Sequence, residues 1–285
     1  MTIRALVRSE RAADTLAQLP EAERPQESCI ADYSDAAGLE RAASGCEAIV
    51  HLVGIIKETA TTTYQAAHDD SCRAIAGAAA AAGVSHIVYL SLFGASSCSD
   101  NTCLASRGRA EEILEAAPAI TTILRVPMVL GRGDDASRAL ANMSSGPLVF
   151  LMGGGTTLQQ PIDARDVIAA IAAALRSPAT TDRVLNLGGP ESLPHRELVR
   201  RAAAVTGGKP RIIGIPFGLV RGVAALMERL SSHPPFTRAF LGVLQHDDRV
   251  DASEACKQLG VELTPLDETL RHCLSPAGDD ANEAA

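Results

Sequence analysis

Three side chains near the middle of the chain could act together on a substrate: Ser91, Cys103 and Arg107. Ser91 ends the run H-I-V-Y-L-S, a short apolar stretch typical of a buried strand. Cys103 and Arg107 are four residues apart in a segment of helix-forming residues, so they share one face of a helix. A thiol can donate a proton, whereas a guanidinium can hold a polar group but cannot shuttle a proton. This layout of strand, loop and helix is typical of an active site.

The elements that must position these side chains alternate along the first half of the chain. Apolar runs predict the strands Ile3–Val7, Ser28–Ala31, Ala48–Val53, Ile87–Leu92 and Thr121–Val126. Helical patterns between them predict the helices Ala12–Leu19, Ala36–Ala43 and Tyr64–Ala82, and a further helix after Cys103. Strands that alternate with helices favour right-handed βαβ units. The sequence therefore predicts an α/β fold with a doubly wound, parallel, Rossmann-like sheet.

The pattern changes after about residue 135, which suggests a division of the chain. We expect a Rossmann-like core in residues 1–135, and in residues 136–274 a completion of the sheet with a small mixed C-terminal lobe. The run Val184–Leu187 should form a strand of the same sheet. The last residues, 275–285, are small and acidic and predict a disordered tail.

Composition narrows the range of partners. The 285 residues have a net charge of −8, which argues against nucleic acid and anionic membranes as main partners. The segment Leu219–Leu230 contains three charged residues and predicts an amphipathic helix rather than a membrane span. The seven cysteines form no C-x-x-C pair and no zinc-type spacing with histidine, so no metal site is expected. Without a secretory signal, they predict reduced thiols in the cytoplasm.

Several stretches, taken in order, resemble one enzyme family. They are I-R-A-L-V-R, A-I-V-H-L-V-G-I-I-K-E, A-A-G-V-S-H-I-V-Y-L-S, L-R-V-P-M-V-L-G-R-G-D and N-L-G-G-P-E-S-L. Together they resemble the extended and atypical short-chain dehydrogenases/reductases, which include the NAD-dependent epimerase/dehydratases. The resemblance is strongest to the branch that contains the nucleotide-binding accessory subunit of respiratory complex I. It implies an NAD(P) cofactor, an unknown small or nucleotide-linked substrate, and a protein assembly partner in the complex I branch.

The resemblance assigns cofactor contacts near the ends of the first strands. Arg8 matches the position that grips an adenosine 2′-phosphate, which favours NADP, although a solvated arginine at a strand end is an equal alternative. Asp32 matches the acidic position beside the adenine, although aspartate also begins turns and caps helices. Val53 and Gly54 match the loop under the ribose and phosphates, where a glycine could simply end a strand.

At the nicotinamide end of the cofactor, the resemblance assigns Pro127 and Val129 to the segment that flanks the carboxamide. Ser91 matches the catalytic serine of the family. The family follows that serine with Y-x-x-x-K on the next helix, and here Cys103 and Arg107 stand at these two positions. The exchange removes both the usual proton donor and the lysine that tunes it, while Arg107 keeps a charge that can hold the cofactor ribose.

The N-terminus also departs from the family pattern. Family members begin with a strand and G-x-x-G-x-x-G, roughly thirty residues ahead of the equivalent of Ile3, and these glycines let the backbone approach the pyrophosphate. We expect that the start has been set too late rather than that the chain is a true fragment. Binding of NAD(P) would be weak without the glycine loop, and the sheet should show a gap or an exposed edge.

Three functional hypotheses remain. The favoured one is an NAD(P)-binding protein whose altered Tyr/Lys site holds nucleotide without standard redox catalysis. The alternative is an NAD(P)-dependent oxidoreductase or epimerase/dehydratase that uses Ser91, Cys103 and Arg107. The third is a truncated chain that binds no dinucleotide.

Overall fold

A computed structural model of the protein describes residues 2–177, 179–230 and 237–275. The disordered tail that the sequence predicts at 275–285 lies outside these residues, apart from Ser275. Within the described residues, no helix combines the length and the apolar character needed to cross a membrane.

The strands are short and are numbered in chain order. They are β1 Arg4–Val7, β2 Glu27–Ile30, β3 Ala48–His51, β4 His86–Leu92, β5 Ile120–Val126, β6 Val129–Leu130, β7 Leu148–Met152, β8 Leu158–Gln159, β9 Ile162–Asp163, β10 Arg183–Asn186, β11 Leu193–Pro194 and β12 Arg211–Ile215.

The α-helices fill most of the sequence between these strands. They are α1 Glu10–Ala17, α2 Ala36–Ala43, α3 Ser71–Ala82, α4 Thr102–Glu115, α5 Asp135–Ser145, α6 Ala164–Arg176, α7 His195–Thr206, α8 Phe217–Leu230, α9 Arg238–Leu244, α10 Ser253–Leu259 and α11 Leu266–Leu274. The predicted helix Tyr64–Ala82 is not regular throughout, because Gln65–Asp70 is a π-helical turn that leads into α3.

The predicted α/β class and parallel sheet are confirmed. Four strands form a sheet in the order β10-β5-β4-β3, and β3 and β4 run parallel. β10 occupies the place expected for Val184–Leu187. β1 and β2 form a separate parallel pair, and β3 stands at the end of the four-stranded order. The interruption that the sequence predicts between these two groups of strands is therefore seen in the strand order of the described residues.

The chain divides into two compact units. Unit 1 comprises Met1–Leu90, Ser96–Ile123 and Pro178–Arg183, and unit 2 comprises the rest of the chain. The core of unit 1 packs helices against sheet side chains, with Leu39, Ile75, Ile87, Leu114 and Ile123 buried together. This division cuts through β4, β5 and β10, so the predicted boundary at residue 135 stays a prediction.

Unit 2 is assembled from short paired strands and helices. β7 and β12 run parallel, β6 and β9 run parallel, and β8 and β11 run antiparallel. Its core contains Leu130, Leu140, Leu198, Leu266 and Leu270, each at most 1% exposed. These side chains come from β6, α5, α7 and α11, which shows that these elements share one interior.

Candidate functional site

Helix α4 carries both altered motif positions, and its start is well defined. The side chain of Asn101 caps the helix by accepting a hydrogen bond from the amide of Cys103 at 3.0 Å. Gly108 lets the helix approach the loop after β4, because a Cβ there would overlap the backbone of Ser96 and Ser97. The position of Arg107 on the inner face of α4 follows from this cap and this close approach.

Arg107 is buried, with 6% of its surface exposed. Its Nη1 donates to the hydroxyl of Tyr89 at 2.7 Å and to the carbonyl of Leu90 at 3.1 Å. The guanidinium also lies over the Tyr89 ring, 5.6 Å from its centroid. Its Nε is buried and has no hydrogen-bond partner in the described structure. One donor of this buried cation is therefore unsatisfied in the described structure.

The same guanidinium lies against the loop that follows β3. A Cβ at Gly54 would overlap it, and Val53 beside this glycine is half-buried. In the described part of the chain, no carboxylate forms an ion pair with Arg107. A buried cation without an anion costs free energy, since it has lost water without gaining a counter-charge. A polar or anionic ligand at Gly54 would offset that cost.

Cys103 is fully buried, and its sulfur donates to the carbonyl oxygen of Ile55 at 3.7 Å. Burial raises the pKa of this thiol to about 11, although the charge of Arg107 acts in the opposite direction. The side chain is therefore a protonated thiol at neutral pH. Its proton is donated to a backbone carbonyl of the loop after β3.

His68, which the sequence suggests is merely packed or exposed, connects this loop to α4. The amide of Ile55 donates to its Nε2 at 3.0 Å, so the neutral ring must carry its proton on Nδ1. Nδ1 then donates to the hydroxyl of Ser106 at 2.7 Å, and Ser106 donates to the carbonyl of Cys103 at 2.8 Å. Burial, together with a smaller effect of the Arg107 charge, lowers the pKa of His68 to about 3.

The π-helical turn positions His68 and supports the loop from a second direction. Tyr64, just before the turn, donates its hydroxyl to the carbonyl of Ile56 at 2.9 Å. Its ring stacks on His68 with 5.6 Å between centroids. The extra residue of a π-helical turn often marks a functional position. No spacing in the sequence predicts this turn, because it depends on contacts made between distant segments.

Arg8 and Asp32 are brought together because each follows one strand of the parallel pair β1–β2. Both are exposed, and the Arg8 guanidinium lies 5.5 Å from the centroid of the Tyr33 ring. Asp32 accepts hydrogen bonds from the hydroxyl and the amide of Ser34 at 2.7 and 2.9 Å. These bonds, with a smaller effect of the Arg8 charge, lower the pKa of Asp32, so the carboxylate stays ionised.

The remaining predicted residues lie in unit 2. Ser91 is 1% exposed on β4, and two residues later the amide of Phe93 donates to the carbonyl of Val126 at 3.3 Å. This bond brings the end of β4 beside Pro127, which separates β5 from β6. Val129 is half-buried in β6. Unit 2 therefore assembles Ser91, Pro127 and Val129 around the ends of neighbouring strands.

The described residues contain no group of three histidine, cysteine, aspartate or glutamate side chains that could hold a metal ion. All seven cysteines are free thiols. The guanidinium of Arg107 and the backbone near Gly54 are polar groups of unit 1 that lie against each other. These groups suit a molecule with hydroxyl or phosphate oxygens.

Comparison with known proteins relates the chain to NAD(P)H-binding proteins. Residues 1–178 match a family described as NAD(P)H-binding. A ceramide reductase of Caulobacter vibrioides is 30% identical over 201 residues, which cover 70% of this chain and 63% of that protein. A mitochondrial NADH dehydrogenase [ubiquinone] 1 alpha subcomplex subunit 9 of Arabidopsis thaliana is 27% identical, over 72% of this chain and 52% of its own length. The chain thus spans between about half and two thirds of these relatives.

Solved structures agree at the level of the fold. A nucleoside-diphosphate-sugar epimerase of Pseudomonas aeruginosa aligns with a TM-score of 0.73 at 20% identity, over 96% of this chain and 88% of its own. This likeness shows that the two chains share a fold over nearly the whole of this chain. With the family match over more than half of the sequence, it shows that the chain belongs to the NAD(P)H-binding family of atypical short-chain dehydrogenase/reductase-like proteins.

Proposed function

We propose that the protein binds a nicotinamide dinucleotide through Arg107 and does not carry out the standard tyrosine–lysine redox step. The observation that carries this proposal is the buried guanidinium beside Gly54, with its Nε lacking a partner in the described structure. When bound, the nicotinamide ring supplies hydride chemistry. Arg107 would hold the oxygen atoms of the cofactor ribose, and Gly54 would let the cofactor approach the backbone.

The proton transfer that would accompany hydride transfer lacks a suitable donor in unit 1. Cys103 has a pKa of about 11, is fully buried and already donates to Ile55. Arg107 cannot relay a proton, because its guanidinium remains charged at any pH the protein tolerates. These properties support a binding role over the usual acid–base role. The parts assigned to Ser91, Pro127 and Val129 stay predictions from the sequence.

NADP is the preferred cofactor in this proposal. The support is Arg8, an exposed cation at the carboxyl end of β1 that stacks near Tyr33. An arginine at this place suits the 2′-phosphate, while the nearby Asp32 suits the adenosine side. Arg8→Gln should weaken NADPH binding more than NADH binding. Equal weakening of both would remove the support for an NADP preference.

The bound dinucleotide would act as a structural ligand, and a protein assembly would be its context. The support is the similarity to a subunit of mitochondrial NADH dehydrogenase, over 72% of this chain. A ligand that binds only the folded state stabilises it, so a subunit can depend on a dinucleotide that it never oxidises. The seven free thiols support a reducing compartment, for which we propose the cytoplasm.

The test is a fluorescence titration with NADPH. Arg107→Met keeps the length of the side chain without its charge, and it should weaken binding at least about tenfold, the usual effect of losing hydrogen bonds from a charged group. The control is Arg73→Gln on α3, which removes an exposed arginine in an ion pair with Asp70. Equal affinity of Arg107→Met and the wild type would refute the proposed role of Arg107.

A second function, an NAD(P)-dependent oxidoreductase or epimerase/dehydratase, is favoured by one feature of unit 2. His246 lies against Gly94, three residues after Ser91. Its Nδ1 contacts Asp248 at 3.3 Å, and this hydrogen bond raises the pKa of the imidazole despite its partial burial. A half-exposed imidazole with an orienting carboxylate could supply the proton that Cys103 cannot. The ceramide reductase similarity, over 70% of this chain, also favours this function.

This second function predicts that NADPH oxidation with a panel of ketones and aldehydes depends on His246. His246→Gln should then lower the rate by about 10²–10⁴-fold, whereas Cys103→Ala should change it little. Absence of turnover in the wild type, or a rate that His246→Gln leaves unchanged, would remove this candidate.

A further inference from the structure

Helix α8 has an apolar stripe that faces away from its own unit. Leu219, Val223, Leu226 and Leu230 are 61%, 41%, 57% and 78% exposed. At about 100° per residue they fall within about 60° of the helix circumference. Ala224, on another side of the helix, is fully buried. The helix therefore has one apolar face for its own unit and a second one that its unit leaves uncovered.

A neighbouring strand adds to this uncovered apolar surface. Leu148 and Phe150 of β7 are 43% and 57% exposed, and their spacing of two puts them on one face of the strand. The start of α8 lies beside the end of β7, because a Cβ at Gly153 would overlap the ring of Phe217. Exposed apolar side chains thus cluster on adjacent elements, as they do at interaction surfaces.

The charge of this region is opposite to that of the chain. Residues 195–238 contain eight lysines and arginines and two carboxylates, a formal charge of +6 in a chain of net charge −8. Lys209, Arg211, Arg221 and Arg229 are exposed and have no ion-pair partner in the part of the chain that the structure describes. Arg201 in the same segment is paired with Glu191 and Asp267 from outside it, so it adds little to the positive charge available to a partner.

We propose that the α8 face docks on an anionic lipid surface. On α8, Arg229 lies about 60° from the edge of the stripe, and Arg211 is paired with the exposed Leu148 in the β7–β12 ladder. An apolar surface flanked by arginines in this way suits the plane of a lipid interface, with leucines among the acyl chains and guanidinium groups at the phosphates. An uncharged protein partner would account for the leucines and not for the local positive charge. A second copy of the chain would place two positive surfaces against each other. The proposal is independent of the dinucleotide.

The first test is flotation of the purified chain with vesicles of phosphatidylcholine, with or without phosphatidylglycerol. The wild type should bind the vesicles that contain phosphatidylglycerol. Leu226→Glu should lower the partition coefficient at least about tenfold, because it replaces an inserted leucine with a repelled carboxylate. The matched control is Ile168→Glu on α6, a side chain that is 65% exposed outside the stripe and should bind like the wild type.

The second test distinguishes the contribution of the positive charges to lipid binding from that of the apolar stripe. Arg211→Gln combined with Arg229→Gln should remove most of the preference for phosphatidylglycerol, whereas Arg176→Gln with Arg249→Gln removes two exposed arginines elsewhere and should preserve it. Three results would overturn the proposal. They are absence of wild-type binding, equal binding of Leu226→Glu, and a dimer in light scattering that Leu226→Glu dissociates.

Discussion

At the residue scale, Arg107 combines features that favour ligand binding over stability. Its guanidinium is 6% exposed, lies over Tyr89 and has a buried Nε without a partner in the described structure. An apolar side chain would fill this buried position without the free-energy cost of burying a charge. The sequence could identify the position from its spacing to Cys103. It could not predict the contact with Gly54, because that contact joins segments more than fifty residues apart.

His68, a buried histidine of unit 1, shows a limit of sequence reasoning at this scale. The sequence suggests that His68 is packed or exposed, and the structure buries it. Its hydrogen bonds to Ile55 and Ser106 could not be predicted. They form because a π-helical turn directs the imidazole between the loop after β3 and α4. We infer that His68 positions the loop that carries Gly54.

His68 predicts a specific dependence of stability on pH. Its pKa falls from 6.5 to about 3 on folding, chiefly because burial disfavours the charged ring. The unfolded chain therefore binds the extra proton between these values, and stability rises with pH across that window. This contribution is complete above about pH 6.5 and is lost progressively as the pH falls toward 3. From pH 7 to pH 5 the free energy of unfolding should fall by about 2 kcal/mol on account of this one group.

Urea unfolding of the wild type and His68→Gln at pH 7 and pH 5 measures this effect. Glutamine keeps an acceptor for the amide of Ile55 but does not titrate. The variant should therefore lose about 2 kcal/mol less than the wild type between the two pH values. The same pH dependence in both proteins would show that His68 is not a buried neutral imidazole.

At the element scale, the sequence predicts regular pieces well. The helix Ala36–Ala43 has the bounds that the sequence predicts, and the predicted strands Ile87–Leu92 and Thr121–Val126 each begin one residue later than β4 and β5. The two-residue strands of unit 2 could not be predicted, since a run of two residues has no periodicity. The same holds for the π-helical turn, whose residues continue the helical pattern of α3 without a break.

The close approach of α4 to the loop after β4 depends on one glycine. Gly108→Ala should lower the free energy of unfolding by about 1–3 kcal/mol, because its Cβ would overlap the backbone of Ser96 and Ser97. The control is Gly77→Ala in α3, where nothing lies within 4 Å of the new Cβ. That change should raise stability by about 0.5–1 kcal/mol through helix propensity. Urea unfolding measures the change in the free energy of unfolding for both variants. A Gly108→Ala variant as stable as the wild type would contradict the described packing of α4.

At the scale of the whole molecule, the order of elements was readable from the sequence. Alternating strands and helices predict the doubly wound sheet, and the interruption between β1–β2 and β3 follows from the resemblance to the family. The positive charge around α8 could not be predicted from the net charge of the chain. The net charge of −8 averages an acidic majority with a segment of +6, so it hides a surface of the opposite sign. The exposed side chains of Leu219 and Leu226 show which part of this positively charged segment lies at the surface.

The measurement that tests the central claim most directly is thermal unfolding with and without NADPH. The account predicts that NADPH at about 100 times its Kd raises the Tm of the wild type by several degrees, equivalent to about 2.7 kcal/mol, and that Arg73→Gln behaves alike. Arg107→Met without ligand should be at least as stable as the wild type, because it removes an uncompensated buried charge, and it should show little or no shift. No shift in the wild type, or an equal shift in Arg107→Met, would contradict the account.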